Sequence, residues 1–213
     1  MALPATHIRF AAAIADRLAI SDLNAYFSGT LYPDSRWVSG IARNQTHDHR
    51  FLGPDFPSDD FTRGWHVHCV CDRIQAEIHD ELLGDLSTMT ANARWVRLSA
   101  AKVVQDMHDA ANAQLSQHLS MLTCRRTPNG ESGEAVGAYL GYVRQAYGGG
   151  DLPAWRDYAK LWADVGLDRL RIAQIELQTG LMAADDVLAG RLRRTFDRML
   201  ERWTADFDPA PPN

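Results

Sequence analysis

From Ser58-Asp59-Asp60 to Gly84 the chain holds one helical period without a break. Phe61, Trp65, His68, Asp72 and His79 recur along it at helical steps, a single stripe on one face of an α-helix. The acidic run suits a helix start and Gly84 a stop, so the helix is expected to reach Leu83. Gly64 sits inside the stripe and leaves room for a second backbone to come close. A rod of this length with one marked face needs other elements packed along it, and the rest of the chain supplies helices.

Helical patterns are expected over Pro4–Ile20 with Thr6 as cap, Asp22–Phe27 with Ser21 as cap, and Ser39–His47. Further ones cover Asn92–Leu122, Glu134–Tyr147, Leu152–Val165, Leu167–Gly180 and Ala183–Phe207. Tyr32-Pro33-Asp34-Ser35 reads as a turn, Leu52–Asp60 as a loop, and Thr127-Pro128-Asn129-Gly130 as a break. Gly148-Gly149-Gly150 is the one candidate hinge. Alternating β-branched runs are absent, and no internal repeat is visible. The expected fold is all-α, a single-domain multi-helix bundle over residues 1–207 with a frayed Pro-rich tail at 208–213.

The chain of 213 residues is 46% hydrophobic, enough for a sizeable core. Its net charge of −5 argues against phosphate-driven, non-specific nucleic-acid binding as the main activity. Arg191-Leu192-Arg193-Arg194 reads more simply as a solvated helix face. Cys69, Cys71 and Cys124 are too few and unevenly placed for a disulfide framework, and Cys69-x-Cys71 is too tight for a zinc knuckle. Asp16 and Arg17 interrupt the apolar run Phe10–Ile20, so it does not read as a secretory leader. No stretch approaches the ~18–20 apolar residues of a membrane span. A cytoplasmic location is the expectation.

Chemistry is concentrated near the N-terminal side of the long helix. His68 and Asp72, four apart, stack one turn from each other. Asp34 follows the turn at Pro33, His47 ends the next short helix, and His7 lies in the first. Imidazole and carboxylate together suit a divalent ion: zinc first, with manganese or iron as alternatives. Taken singly, each residue has an ordinary use. Asp34 can cap a helix, Asp72 can pair with Arg73 or Arg94, and a histidine is more often core filler than ligand. The joint order is what points to a metal. Arg43, four before His47, would face the same site and suit a substrate phosphate, with a salt bridge to Asp48 as the plainer role. Arg36 and Trp37 would line the mouth. Lys102 and Asp106 share a helix face, as an ion pair or as contacts behind the site. Phe196, Met199, Leu200 and Trp203 form a stripe for the core or for a homodimer seam.

Pro33-Asp34, Arg43, Thr46-His47 and Gly64-Trp65-x-x-His68-x-x-x-Asp72 together resemble the zinc-dependent phospholipase C superfamily, which includes the P1-type single-strand nucleases. The resemblance covers roughly the first third of the chain. It implies an all-α fold, phosphoester hydrolysis, and His7, Asp34, His47, His68 and Asp72 as metal ligands, with Asp34 bridging two ions or acting as general base. The substrate it implies is a small or lipid-like phosphoester, with nucleic acid left open. The chain departs from that pattern in two ways. It does not start with the family's metal-binding tryptophan, and it has no later His-x-x-x-Glu pair, since His79, His108 and His118 lack a glutamate four residues on. A one- or two-metal version is therefore expected. His47-Asp48 is also similar to the dipeptide of HD-domain phosphohydrolases, with His7 and Asp106 as distant partners, but its setting is polar on all sides. A non-catalytic helical oligomer with a structural metal or polar cluster is the rival reading.

Overall fold

The computed structural model describes residues 3–52, 57–150 and 152–207. The expected tail at 208–213 and residues 53–56 of the expected loop lie outside them. Every regular element among the described residues is helical. In chain order these are α1 (Pro4–Ile14), α2 (Leu23–Leu31), α3 (Arg36–Ser39), α4 (Arg43–Thr46), α5 (Asp60–Leu83) and α6 (Ala91–Ala111). There follow α7 (Leu115–Ser120), α8 (Gly133–Tyr147), α9 (Trp155–Asp164), α10 (Arg169–Ala184), α11 (Asp186–Arg193) and α12 (Thr195–Asp206). Short 3-10 turns span Asp16–Leu18, Tyr32–Ser35 and His49–Leu52. No described helix is long and apolar enough to cross a membrane.

The axis is α5. Asp59 caps it by accepting from the Thr62 amide at 3.1 Å, and Gly84 ends it at φ 72°. The expected stripe understates its burial: from Trp65 to Asp72 it is enclosed on every side. A helix apolar all round belongs in the middle of a bundle. The carboxylate of Asp60 also ties α5 to the start of α2, accepting from the amides of Ser21 and Asp22 and from the Ser21 hydroxyl.

Two glycines let α2 lie against α5 with backbones in contact. A Cβ at Gly64 would overlap the Tyr26 carbonyl, and one at Gly29 would overlap the Phe61 carbonyl. The obstruction is main chain on both sides, so no side chain can yield. Gly64→Ala should therefore destabilise the fold by about 1–3 kcal/mol, the usual range for overpacking. Urea unfolding checks it, and an unchanged midpoint would contradict the contact.

Several boundaries differ from expectation, each for a local reason. α1 stops at Ile14, and the chain turns through Ala19 at φ 49°. Thr6 is not its cap. Leu3 holds that position and has no capping side chain, so the orphan amide of Thr6 donates instead to Asp106 of α6 at 2.7 Å. Asp22, not Ser21, caps α2. Gly40 at φ 76° ends α3 at Ser39, and the expected Ser39–His47 helix is shortened to α4. The long pattern beyond Asn92 ends at Ala111, where Asn112 folds its amide onto the His108 carbonyl. Asp185 accepts from the amides of Val187 and Leu188 and restarts the chain as α11, which divides the last expected helix.

The C-terminal stripe goes to the core. Phe196, Met199 and Trp203 are buried, while Arg198 and Arg202 on the same helix pair with Glu77 and Glu81 of α5.

Candidate metal centre

Five side chains from separate parts of the chain meet at the middle of α5. His68 and Asp72 come from α5, His7 from the first turn of α1, Asp34 from the 3-10 turn after α2, and His47 from the end of α4. His7 and His68 are fully buried, and Asp34 and Asp72 nearly so. Two groups can each hold an ion: His7, His68 and Asp72, and Asp34, His47 and His68, with ligand atoms within 4.8 Å of one another in each. These are the five residues that the order along the chain singles out.

The hydrogen bonds behind them bear on the tautomers. His68 Nδ1 lies 2.8 Å from the Thr30 carbonyl, which can only accept, so Nδ1 carries the proton. His47 Nδ1 lies 2.9 Å from the Thr46 hydroxyl, which itself donates to the Arg43 carbonyl at 3.3 Å. With His47 Nδ1 also protonated, both Nε2 atoms present lone pairs 3.2 Å apart, which a cation between or beside them would relieve. Metal-bound histidines are commonly held this way by their other nitrogen. With the proton on His47 Nε2, that nitrogen donates to Asp72 Oδ2 at 3.3 Å.

Asp72 occupies the gap. Its Oδ2 is 3.3 Å from His47 Nε2 and 3.9 Å from His68 Nε2, while its Oδ1 is 3.6 Å from His7 Nε2. The two oxygens thus serve different histidines. Asp34 sits to one side, with Oδ1 4.0 Å from His47 Nε2. Asp72 is thus the carboxylate that lies within reach of all three imidazoles. His7 stacks on His68 with ring centres 3.9 Å apart. Neither ring nitrogen of His7, nor Asp34 Oδ1, has a hydrogen-bond partner, although all are buried.

The electrostatics suit a divalent ion. Burial depresses His7 well below the usual imidazole range and His68 to about 4, so both are neutral lone-pair donors at neutral pH. Burial alone would raise Asp72, but the positive N-terminal amine and a hydrogen bond from His47 lower its carboxyl well below the usual range. Burial raises Asp34, with His68 opposing. Unpartnered acceptors, neutral imidazoles and two carboxylates in one buried spot are a donor set for zinc, manganese or iron. The residues fit the metal they were expected to hold.

Arg43 reaches the edge of the cluster with Nη2 4.0 Å from Asp72 Oδ2 and is otherwise largely exposed. Beside Asp34 lies an apolar pocket walled by Leu3, Trp37, Trp95, Tyr139 and Trp162. Lys102 and Asp106 do not pair. Asp106 instead accepts from the Thr6 amide and from the Tyr147 and Tyr158 hydroxyls, at 2.7, 2.8 and 2.9 Å. Next to it, Asp109 binds the Thr6 hydroxyl and Arg9. This buried set clamps α1 at the residue before His7. The HD-type arrangement would need Asp48 and Asp106 beside His47. Asp48 instead binds Arg50 and Asp106 the two tyrosines. The alternative partners considered for Asp72 are engaged elsewhere, Arg73 with Glu77 and Arg94 with Asp80.

Sequence reasoning missed Thr30, Trp95, Tyr139, Trp162 and the clamping role of Asp106. A threonine that contributes only its carbonyl carries no side-chain signal, and the aromatic walls follow from how α6, α8 and α9 pack. Comparison of the chain with protein-family models, with curated proteins and with solved structures gave no match. What fold and site define together is an all-helical protein with a buried cluster of three histidines and two aspartates suited to a metal.

Proposed function

We propose that this protein is a metal-dependent hydrolase of phosphoesters, with His7, Asp34, His47, His68 and Asp72 holding one or two divalent ions. The observation that carries the reading is the convergence of His47 and His68 Nε2, 3.2 Å apart, with Asp72 and Asp34 beside them. A divalent ion bound there supplies a polarised water near neutral pH and charge to offset a phosphate. The order of the five residues along the chain, and their resemblance to the phospholipase C and P1-type superfamily, support phosphoester chemistry over other hydrolyses.

The chain's own residues account for the remaining work. Thr30 and Thr46 orient the two imidazoles, and Asp72 spans the cluster. Asp34 borders the apolar pocket and is the group placed to take a proton from an attacking water. Arg43 borders the cluster from the solvent side and offers a guanidinium to the phosphate.

Protein purified without chelator is expected to carry zinc, manganese or iron and to hydrolyse bis(p-nitrophenyl) phosphate. Turnover should be lost with chelator, restored by metal, and lost in Asp34→Asn with the fold intact. Negligible metal in elemental analysis, with none taken up on addition, would overturn the reading. Full metal content with no turnover of any phosphoester would favour the structural-metal alternative.

A further inference from the structure

A groove of about 320 Å3 opens next to the metal cluster, and its charge is one-sided. Arg36 of α3, Arg43 of α4 and Lys102 of α6 line it with Ser99, between Trp37 and Trp95, and no carboxylate is among its lining residues. Arg43 borders Asp72, so one of the three cations belongs to the cluster's edge. The other two make no ion pair with it, although the charge of Arg36 is felt by Asp34 and Asp72. Arg36 lies on the Trp37 ring, 4.1 Å from its centre, and its buried Nε has no hydrogen-bond partner. Lys102 is half-buried and makes no ion pair among the described residues, although Asp106 lies one turn away on the same helix. Lys102, kept half out of water without an ion pair, and Arg36, faced only by the cluster's own carboxylates Asp34 and Asp72, are costly unless a ligand supplies further negative charge.

We propose that this groove receives a second anionic group of the substrate, so that the enzyme acts on phosphoesters carrying a further phosphate or carboxylate. The proposal rests on the hydrolase reading and deepens it. A single phosphate at the cluster uses Arg43 and leaves Arg36 and Lys102 unmatched. A second negative group a few bonds away matches both, with the tryptophans walling the link between them. The same walls and charges disfavour a phosphoester with a cationic headgroup, because like charges would meet without water to screen them.

Titration calorimetry of the zinc-loaded protein with inorganic pyrophosphate and with orthophosphate tests this. Wild-type protein is expected to bind pyrophosphate at least about tenfold more tightly, a gap of ~1.4 kcal/mol. Lys102→Met and Arg36→Met should each shrink that gap while metal content and orthophosphate affinity stay as they were. The gap should also narrow with added salt. Equal affinities in the wild type overturn the proposal. So does a preference for pyrophosphate that survives in both variants, since metal ions alone would then explain it. Protein that takes up no zinc overturns the hydrolase reading together with this one. Protein that holds zinc and turns over bis(p-nitrophenyl) phosphate, yet does not distinguish the two anions, overturns this one alone.

Discussion

Asp72→Ala is expected to remove one of the two ion-holding groups and to weaken the other. Its carboxylate lies within 3.9 Å of all three imidazoles, so its loss breaks the His7, His68 and Asp72 group and leaves Asp34, His47 and His68 with one carboxylate fewer beside them. Elemental analysis should show metal per chain falling well below the wild-type value. Phosphoester turnover should fall at least about a hundredfold, since partners one layer further out already cost 10–100-fold when removed. Stability should report the same loss by another route. A ligand present at a hundred times its Kd stabilises the folded state by about 2.7 kcal/mol. The wild type should therefore melt higher with zinc than with chelator, and the variant should show a smaller difference between the two. A variant that kept full metal content would show that the five residues do not act as one site.

The second large effect is expected from a residue that touches no metal ligand. Asp106→Ala removes the acceptor for the Thr6 amide and for the Tyr147 and Tyr158 hydroxyls. Each buried donor left unpaired costs about 1–3 kcal/mol, which for three approaches the whole stability of a typical domain. The milder Asp106→Asn keeps one acceptor oxygen and is the variant expected to fold. It should bind zinc more weakly than the wild type, because the amide of Thr6 holds α1, and with it His7, in register.

Asp106 also makes stability depend on pH. Burial raises its carboxyl to about 7, against the pull of its three donors. An unfolded aspartate titrates near about 3.9. Between those values the folded protein keeps a proton that the unfolded chain has lost, so stability falls as pH rises through this window, by up to ~1.4 kcal/mol per unit. His68, depressed to about 4 when folded but ordinary in the unfolded chain, contributes the opposite trend in this window, and the comparison with Asp106→Asn cancels it. In chelator-treated protein, the melting temperature of the wild type should drop relative to Asp106→Asn from pH 5 to pH 7. Parallel profiles would mean that the buried carboxyl is ionised throughout.

The two predictions differ in how far the sequence foretold them. His68 and Asp72 are four apart on one helix, and their nearness follows from the 3.6-residue turn alone. Asp106 sits on another helix a hundred residues from Thr6. Read locally, its obvious partner is Lys102, one turn away. The fold instead gives it two tyrosines from α8 and α9 and an uncapped amide from α1. Capping failed to predict in the same way at Thr6 and Ser21, where a residue of suitable type stood near the start but the chain turned one or more residues away. The break of the C-terminal pattern at Asp185 was legible in principle, since an aspartate followed by Asp-Val-Leu is a cap signal.

Helicity throughout, the span and ends of α5, the close approach at Gly64, and the types of residue that cluster were determined by the sequence itself. Each depends on spacing within a few turns of one helix, which short-range geometry converts directly into structure. Tertiary structure alone decided that Asp72 lies among all three imidazoles, that Asp106 closes the open end of α1, and that Arg36, Lys102 and three tryptophans share one groove. Those outcomes depend on which buried faces meet and at what angle. That is settled by packing summed over the whole bundle, which no short stretch of the chain carries.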